Sequence, residues 1–135
     1  MGYQVSKRFT FCYAHRLMQH PGKCRHLHGH NATVEVFVSG DLGADGMVAD
    51  FGEIKATIGA WVDTWLDHAA LLHQDDPLVV VLKNERGFAM REHPTAEAIA
   101  GLIGGEALKL GLAVSRVDVH ETETSVASWT PELHR

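Results

Sequence analysis

Apolar and polar residues alternate from the start of the chain. Tyr3, Val5, Phe9, Phe11 and Tyr13 fall on one face and Gln4, Ser6, Arg8 and Thr10 on the other, the period-2 pattern of a half-buried β-strand. His15 continues the apolar face at the strand's end. A second alternating run, residues 30–38, places Ala32, Val34, Val36 and Val38 on the parity of His28 and His30. Gly40-Asp41-Leu42-Gly43-Ala44-Asp45-Gly46 reads as a turn. Asp50 then caps a helix, whose apolar stripe is Phe51, Ile54, Ile58, Trp61, Val62, Trp65 and Leu66. Residues 69–93 carry no single period; Leu78-Val79-Val80-Val81-Leu82 fits either a short strand or a buried turn of helix. Pro94-Thr95 opens a second helix with Thr95 as its cap. Ile99, Leu102, Ile103 and Leu110 form its inner face, and Gly104, Gly105 and Gly111 mark its end. Residues 113–120 alternate again, and Ser125–Trp129 follow a turn around Glu121-Thr122-Glu123-Thr124. The order β-β-α-(loop)-α-β-β predicts one α+β domain over residues 1–135, a four-stranded antiparallel sheet with two helices on one face.

The densest chemistry lies in Cys24-Arg25-His26-Leu27-His28-Gly29-His30. Residues two apart on a strand share a face, so His28 and His30 can bind one ion, whereas a helix would turn them apart. If the first two strands pair antiparallel across residues 16–27, His15 joins them. Three neutral imidazoles with one open position are the donor set of a catalytic zinc, while structural zinc takes four protein ligands. Cys24 leaves that second arrangement open, as a Cys-His₃ site.

A chain of 135 residues, 45% hydrophobic and 21% charged, suits one soluble domain with a real core. Its net charge of −5 argues against a nucleic-acid surface. Arg16, Lys23 and Arg25, with His20 and His26, nevertheless surround the metal loop, and a cationic rim of this kind suits a small anionic substrate. No apolar run approaches the ~20 residues of a membrane span, the N-terminus lacks a signal-peptide core, and the two cysteines are too few for a secreted scaffold. These features predict a cytoplasmic protein without membrane or nucleic-acid partners.

Six segments in order carry a resemblance. They are Phe11-Cys12-Tyr13-Ala14-His15-Arg16-Leu17, Cys24–His30, Met47-Val48-Ala49-Asp50-Phe51, Leu66-Asp67-His68, Pro94-Thr95-Ala96-Glu97 and Val119-His120-Glu121-Thr122. Together they resemble the 6-pyruvoyltetrahydropterin and 6-carboxytetrahydropterin synthase superfamily, across nearly the whole chain. The resemblance implies the tunnelling fold (T-fold), a homohexamer built as a dimer of trimers, and active sites between subunits. The short spacer between Cys24 and His28 resembles the carboxy-forming branch, which serves queuosine biosynthesis. The Phe11-Cys12-Tyr13-Ala14-His15-Arg16-Leu17 segment departs from the family's more usual small residues before the His, and Leu66-Asp67-His68-Ala69-Ala70-Leu71-Leu72 lacks the Asn often found after the dyad.

Roles follow from the resemblance. Zn²⁺ held by His15, His28 and His30 would polarise the side-chain hydroxyls of 7,8-dihydroneopterin triphosphate. Cys24, flanked by Lys23 and Arg25, would act as the base, with fourth zinc ligand as its alternative role. Asp67-His68 would be the second proton-transfer element, the carboxylate holding one imidazole tautomer. Glu121 shares the parity of Val117 and Val119, so it faces the apolar side, where a carboxylate needs a partner. The family uses this Glu to accept two N–H groups of the pterin edge. Thr122 and Glu97 are expected to support that pocket. The implied activity is a lyase yielding 6-carboxytetrahydropterin, acetaldehyde and triphosphate. Its alternatives are the pyruvoyl-forming synthase and a non-catalytic T-fold module with structural zinc. A zinc hydrolase would fit the three histidines, but the sequence has no obvious Glu base in the usual His-Glu-x-x-His setting.

Overall fold

The computed structural model describes residues 2–134. Strands β1 (Tyr3–His15) and β2 (His28–Gly40) form the antiparallel pair that the alternation predicts, in a register running from Tyr3 opposite Gly40 to His15 opposite His28. Their inward residues Phe11, Tyr13, Ala32, Val34 and Val36 are 3% exposed or less, which makes this pair the floor of the core.

The sheet has six strands rather than four, in the spatial order Gly87–Met90 (β4), Ala69–His73 (β3), β1, β2, Val114–Thr122 (β5) and Ser125–Trp129 (β6). The two unexpected strands come from the patternless stretch: β3 (Ala69–His73) and β4 (Gly87–Met90). β3 runs parallel to the end of β1, and β4 runs parallel to β3, so the sheet is mixed. Each is five residues or fewer, too short to show a period. Between them Leu78–Val81 forms a single helical turn (α3). It is not buried: Val80 and Val81 are each 71% exposed. On the other side β5 (Val114–Thr122) pairs antiparallel with β2 and with β6 (Ser125–Trp129).

The first helix has three parts: α1 (Phe51–Ile54), a π-helical stretch Lys55–Gly59, and α2 (Ala60–Trp65). Asp50 caps it through a 2.8 Å bond from the Gly52 N–H. Its buried residues are Ile54, Ile58, Val62 and Leu66, each four apart. On a pure α-helix of 3.6 residues per turn such a row would drift around the axis; the wider π turn absorbs the drift. Phe51 and Trp65, expected in the stripe, are 52% and 53% exposed.

The second long helix, α4 (Ala96–Lys109), begins at Thr95, whose hydroxyl accepts the Ala98 N–H at 3.1 Å. It runs straight through Gly104 and Gly105 and ends at Lys109, two residues before Gly111, which takes φ +92°. The glycine at 104 marks a close approach instead: a Cβ there would lie 2.2 Å from the Trp129 ring. Ile99 and Ile103 are buried, but Leu110 lies beyond the helix and is 43% exposed. Both long helices pack into one core with the inner face of the sheet. None of the described helices is long and apolar enough to cross a membrane.

Candidate metal centre and active site

The β1–β2 register brings the three predicted histidines together. His15, His28 and His30 offer ring nitrogens all within 4.8 Å of one another, and their ring centroids stand 4.6–5.1 Å apart in edge-on pairs. Main-chain carbonyls orient two of the rings. His15 Nδ1 lies 2.6 Å from the carbonyl of Pro94, and His28 Nδ1 lies 2.7 Å from that of His26. A carbonyl only accepts, so each Nδ1 carries the proton and each Nε2 presents a lone pair. The two Nε2 atoms then face each other at 3.1 Å. Two lone pairs at that distance repel unless a cation lies between them. Two ligands ~2.1 Å from one tetrahedral ion are about 3.4 Å apart, close to what is seen. His30 Nε2 is buried without a hydrogen-bond partner. The donor set fits Zn²⁺.

Burial lowers the pKa of His15, against the opposing pull of the Pro94 carbonyl and of Glu121. The neutral, ligating form is therefore favoured.

Glu121 belongs to the same site. Its carboxylate oxygens lie 3.5 Å from His30 Nε2 and 3.9 Å from His15 Nε2. It also lines a cavity of about 450 Å³ with Leu17, Thr95, Glu97 and Ala127. Glu97 and Glu121 thus share one recess, at the N-terminus of α4. Thr122 does not join them; it is exposed, and its hydroxyl lies 3.4 Å from that of Thr124. Tyr13, read from the sequence only as an apolar-face strand residue, stands against the His15 and His30 rings at 5.1 and 5.8 Å. Its hydroxyl is buried without a hydrogen-bond partner, and burial together with the Glu121 carboxylate pushes its pKa up. The signal was available, since Tyr13 shares the parity of His15.

Cys24 sits half-buried in a 3₁₀ turn, Lys23–Arg25, as a free thiol. It is not among the donors grouped with the three histidines. Asp67 and His68 are bonded to each other, Oδ2 to Nδ1, at 2.9 Å. They gather instead with Cys12, which alternates with the inward Phe11 and Tyr13 and so lies on the reverse face of the sheet. Burial pushes the Asp67 carboxyl up, but bonds from the Cys12 N–H and from His68 outweigh it and hold the group below its usual range. His68 takes a left-handed φ of +59°, which satisfies the need for a turn between these adjacent residues.

The cationic rim is smaller than expected. Lys23, Arg25, His20 and His26 are exposed, but Arg16 is bound to the buried Asp76, with Nε to Oδ2 at 2.8 Å. Asp76 anchors the segment between β3 and α3, so Arg16 ties the added strands to the metal loop.

The model of the 6-pyruvoyl tetrahydropterin synthase family matches residues 4–132. The chain belongs to this family. Within it, the chain is 38% identical over 136 residues to the 6-carboxy-5,6,7,8-tetrahydropterin synthase of Synechocystis sp., covering 96% of this chain and 95% of that one. It is 34% identical to the protein of the same name from Haemophilus influenzae, with 94% and 98% covered. Among solved structures, an uncharacterized protein from Wolinella succinogenes superposes with a TM-score of 0.79 at 28% identity, covering 96% of this chain and 98% of its own. The 6-pyruvoyl tetrahydropterin synthase of Caenorhabditis elegans follows the same fold, with a TM-score of 0.74 at 22% identity and 95% and 94% covered. This pterin synthase family chain therefore has the T-fold, with β3 and β4 widening its sheet.

Proposed function

We propose that this protein is a zinc-dependent 6-carboxytetrahydropterin synthase, a lyase that converts 7,8-dihydroneopterin triphosphate to 6-carboxytetrahydropterin, acetaldehyde and triphosphate on the route to queuosine. The observation that carries the reading is the meeting of two Nε2 lone pairs at 3.1 Å beside a carboxylate that opens on a cavity. The names of the curated relatives favour the carboxy-forming product over the pyruvoyl-forming one.

Zinc bound by His15, His28 and His30 would supply Lewis acidity toward the substrate's side-chain hydroxyls. Glu121 accepts the paired N–H donors of the pterin edge, and Glu97 borders the same recess. Cys24, as thiolate, takes the proton from the carbon attached to the ring. Lys23 and Arg25 beside it attract the triphosphate. His68, with its tautomer held by Asp67, delivers and removes the remaining protons. Asp67 and His68 lie on the reverse face of their own sheet, so the reading requires that they serve the metal of another copy. A homohexamer with shared sites meets that requirement. A cytoplasmic location goes with this substrate.

Incubation with 7,8-dihydroneopterin triphosphate, followed by identification of all products, tests the reading. Acetaldehyde and triphosphate in equal amounts are expected. Triphosphate without acetaldehyde would mean the pyruvoyl-forming reaction, and no turnover by zinc-loaded protein would end the enzymatic reading.

A further inference from the structure

On the reverse face of the sheet, Cys12, Asp67 and His68 bring a thiol, a carboxylate and an imidazole within 4.8 Å of one another. The zinc site described above uses none of them as ligands. Their main chains are locked together. The Cys12 N–H donates to Asp67 Oδ1 at 2.9 Å, and the His68 N–H donates to the Cys12 carbonyl at 2.6 Å. Arg86 Nη2 donates to the Asp67 carbonyl at 2.9 Å, and the Asp67 N–H to that of Val62 at 2.9 Å. The left-handed φ of His68 is held by these bonds and turns its ring back onto Asp67. The cluster opens on a cavity of about 580 Å³ that Cys12 and His68 line with Leu27, Leu82 and Arg86. The His68 side chain is 72% exposed, so an ion has a path in.

Sulfur, nitrogen and oxygen donors in one set match the ligand preferences of zinc and cobalt(II), and disfavour magnesium and calcium, which take oxygen alone. Side-chain torsions bring donors this close onto ligand distances of ~2.0–2.3 Å. The fixed main chain means that little ordering remains to oppose binding. The cavity supplies the fourth position to water.

We infer that Cys12, Asp67 and His68 form a second, thiolate-containing site for a divalent cation of the zinc type, whose occupation withdraws the Asp67–His68 pair from proton transfer. On binding, the Cys12 thiol releases its proton to water and the metal takes its place. The inhibitory part rests on the proposed lyase reading; the binding part does not.

Cobalt(II) titration of the metal-stripped, full-length protein under reducing, oxygen-free conditions tests the site. Two equivalents per chain are expected, the second bringing a sulfur-to-cobalt charge-transfer band. Cys12→Ser should abolish that band and keep the first equivalent, while Cys24→Ala should leave the band in place. Asp67→Asn, which keeps the neighbouring main-chain bonds, should weaken the second equivalent by at least about tenfold, and serves if Cys12→Ser does not fold. A band that disappears with Cys24, or a single equivalent in the unaltered protein, overturns the site. Excess zinc should slow turnover of the unaltered protein and spare Cys12→Ser; equal slowing in both overturns the inhibitory role. A Cys12-dependent band in a protein that turns over no pterin would leave the site standing and remove the lyase.

Discussion

His15, His28 and His30 are held in different ways although their ring nitrogens converge as a set. His15 is 2% exposed and aimed by the Pro94 carbonyl, His28 is aimed by that of His26, and His30 Nε2 has no hydrogen-bond partner. Replacing His28 with Ala should release zinc while the fold persists, because its side chain is only half-buried and packs no core; metal analysis beside circular dichroism reads this. Cys24→Ala should instead keep the zinc and lose turnover by about 10²-fold or more, the scale of a lost general base. A third prediction concerns Asp76. The Arg16 guanidinium holds its carboxyl below the usual range, so its contribution to stability is present above the unfolded value of ~3.9 and is lost as pH falls through the depressed folded value. Asp76→Asn should destabilise by on the order of 2–3 kcal/mol at neutral pH and flatten the acid limb of the stability curve, as read by urea unfolding between pH 3 and pH 7. That pairing was not legible in the sequence, where Arg16 looked like a free cation of the rim. Sixty residues separate it from Asp76, and no period links them. The histidines were legible because a strand's alternation converts spacing directly into a face.

At the scale of elements, patterns long enough to show a period were readable, and short ones were not. β1 and β2, thirteen residues each, announce themselves by alternation. β3 and β4 do not, because strands of five and four residues place only two or three positions on either face. Gly104 misled for a different reason. Helix propensity reads it as an ending, whereas tertiary contact makes it the seat of Trp129. Gly104→Ala should therefore destabilise despite alanine's better propensity, since its Cβ would meet the indole ring at 2.2 Å. A loss of about 1–3 kcal/mol is the scale of overpacking, and thermal unfolding measures it. Thr95→Ala should cost about 1 kcal/mol through the lost cap. It should also loosen the Pro94 carbonyl that orients His15, and so lower zinc affinity as well as stability.

At the scale of the whole molecule, the fold places the metal donors and Glu121 on one face and Asp67–His68 on the other. No single chain brings all the proposed groups together. Two proteins that are each severely impaired, Cys24→Ala and His68→Ala, should regain part of the activity when mixed as unfolded chains and refolded together, because some sites then combine intact halves. Refolded alone, neither should recover. Restored activity that runs at the monomer size on gel filtration would contradict shared sites. The T-fold itself was readable from six ordered motifs, but the assembly lies outside what a pattern of faces can specify.

The most direct measurement is zinc X-ray absorption on Cys12→Ser protein loaded with one equivalent of metal, which confines the ion to the histidine site. A first shell of nitrogen and oxygen alone is expected, from three imidazoles and an exchangeable oxygen ligand. A sulfur neighbour at ~2.3 Å would show Cys24 closing the coordination sphere, and the open position on which the chemistry depends would be gone.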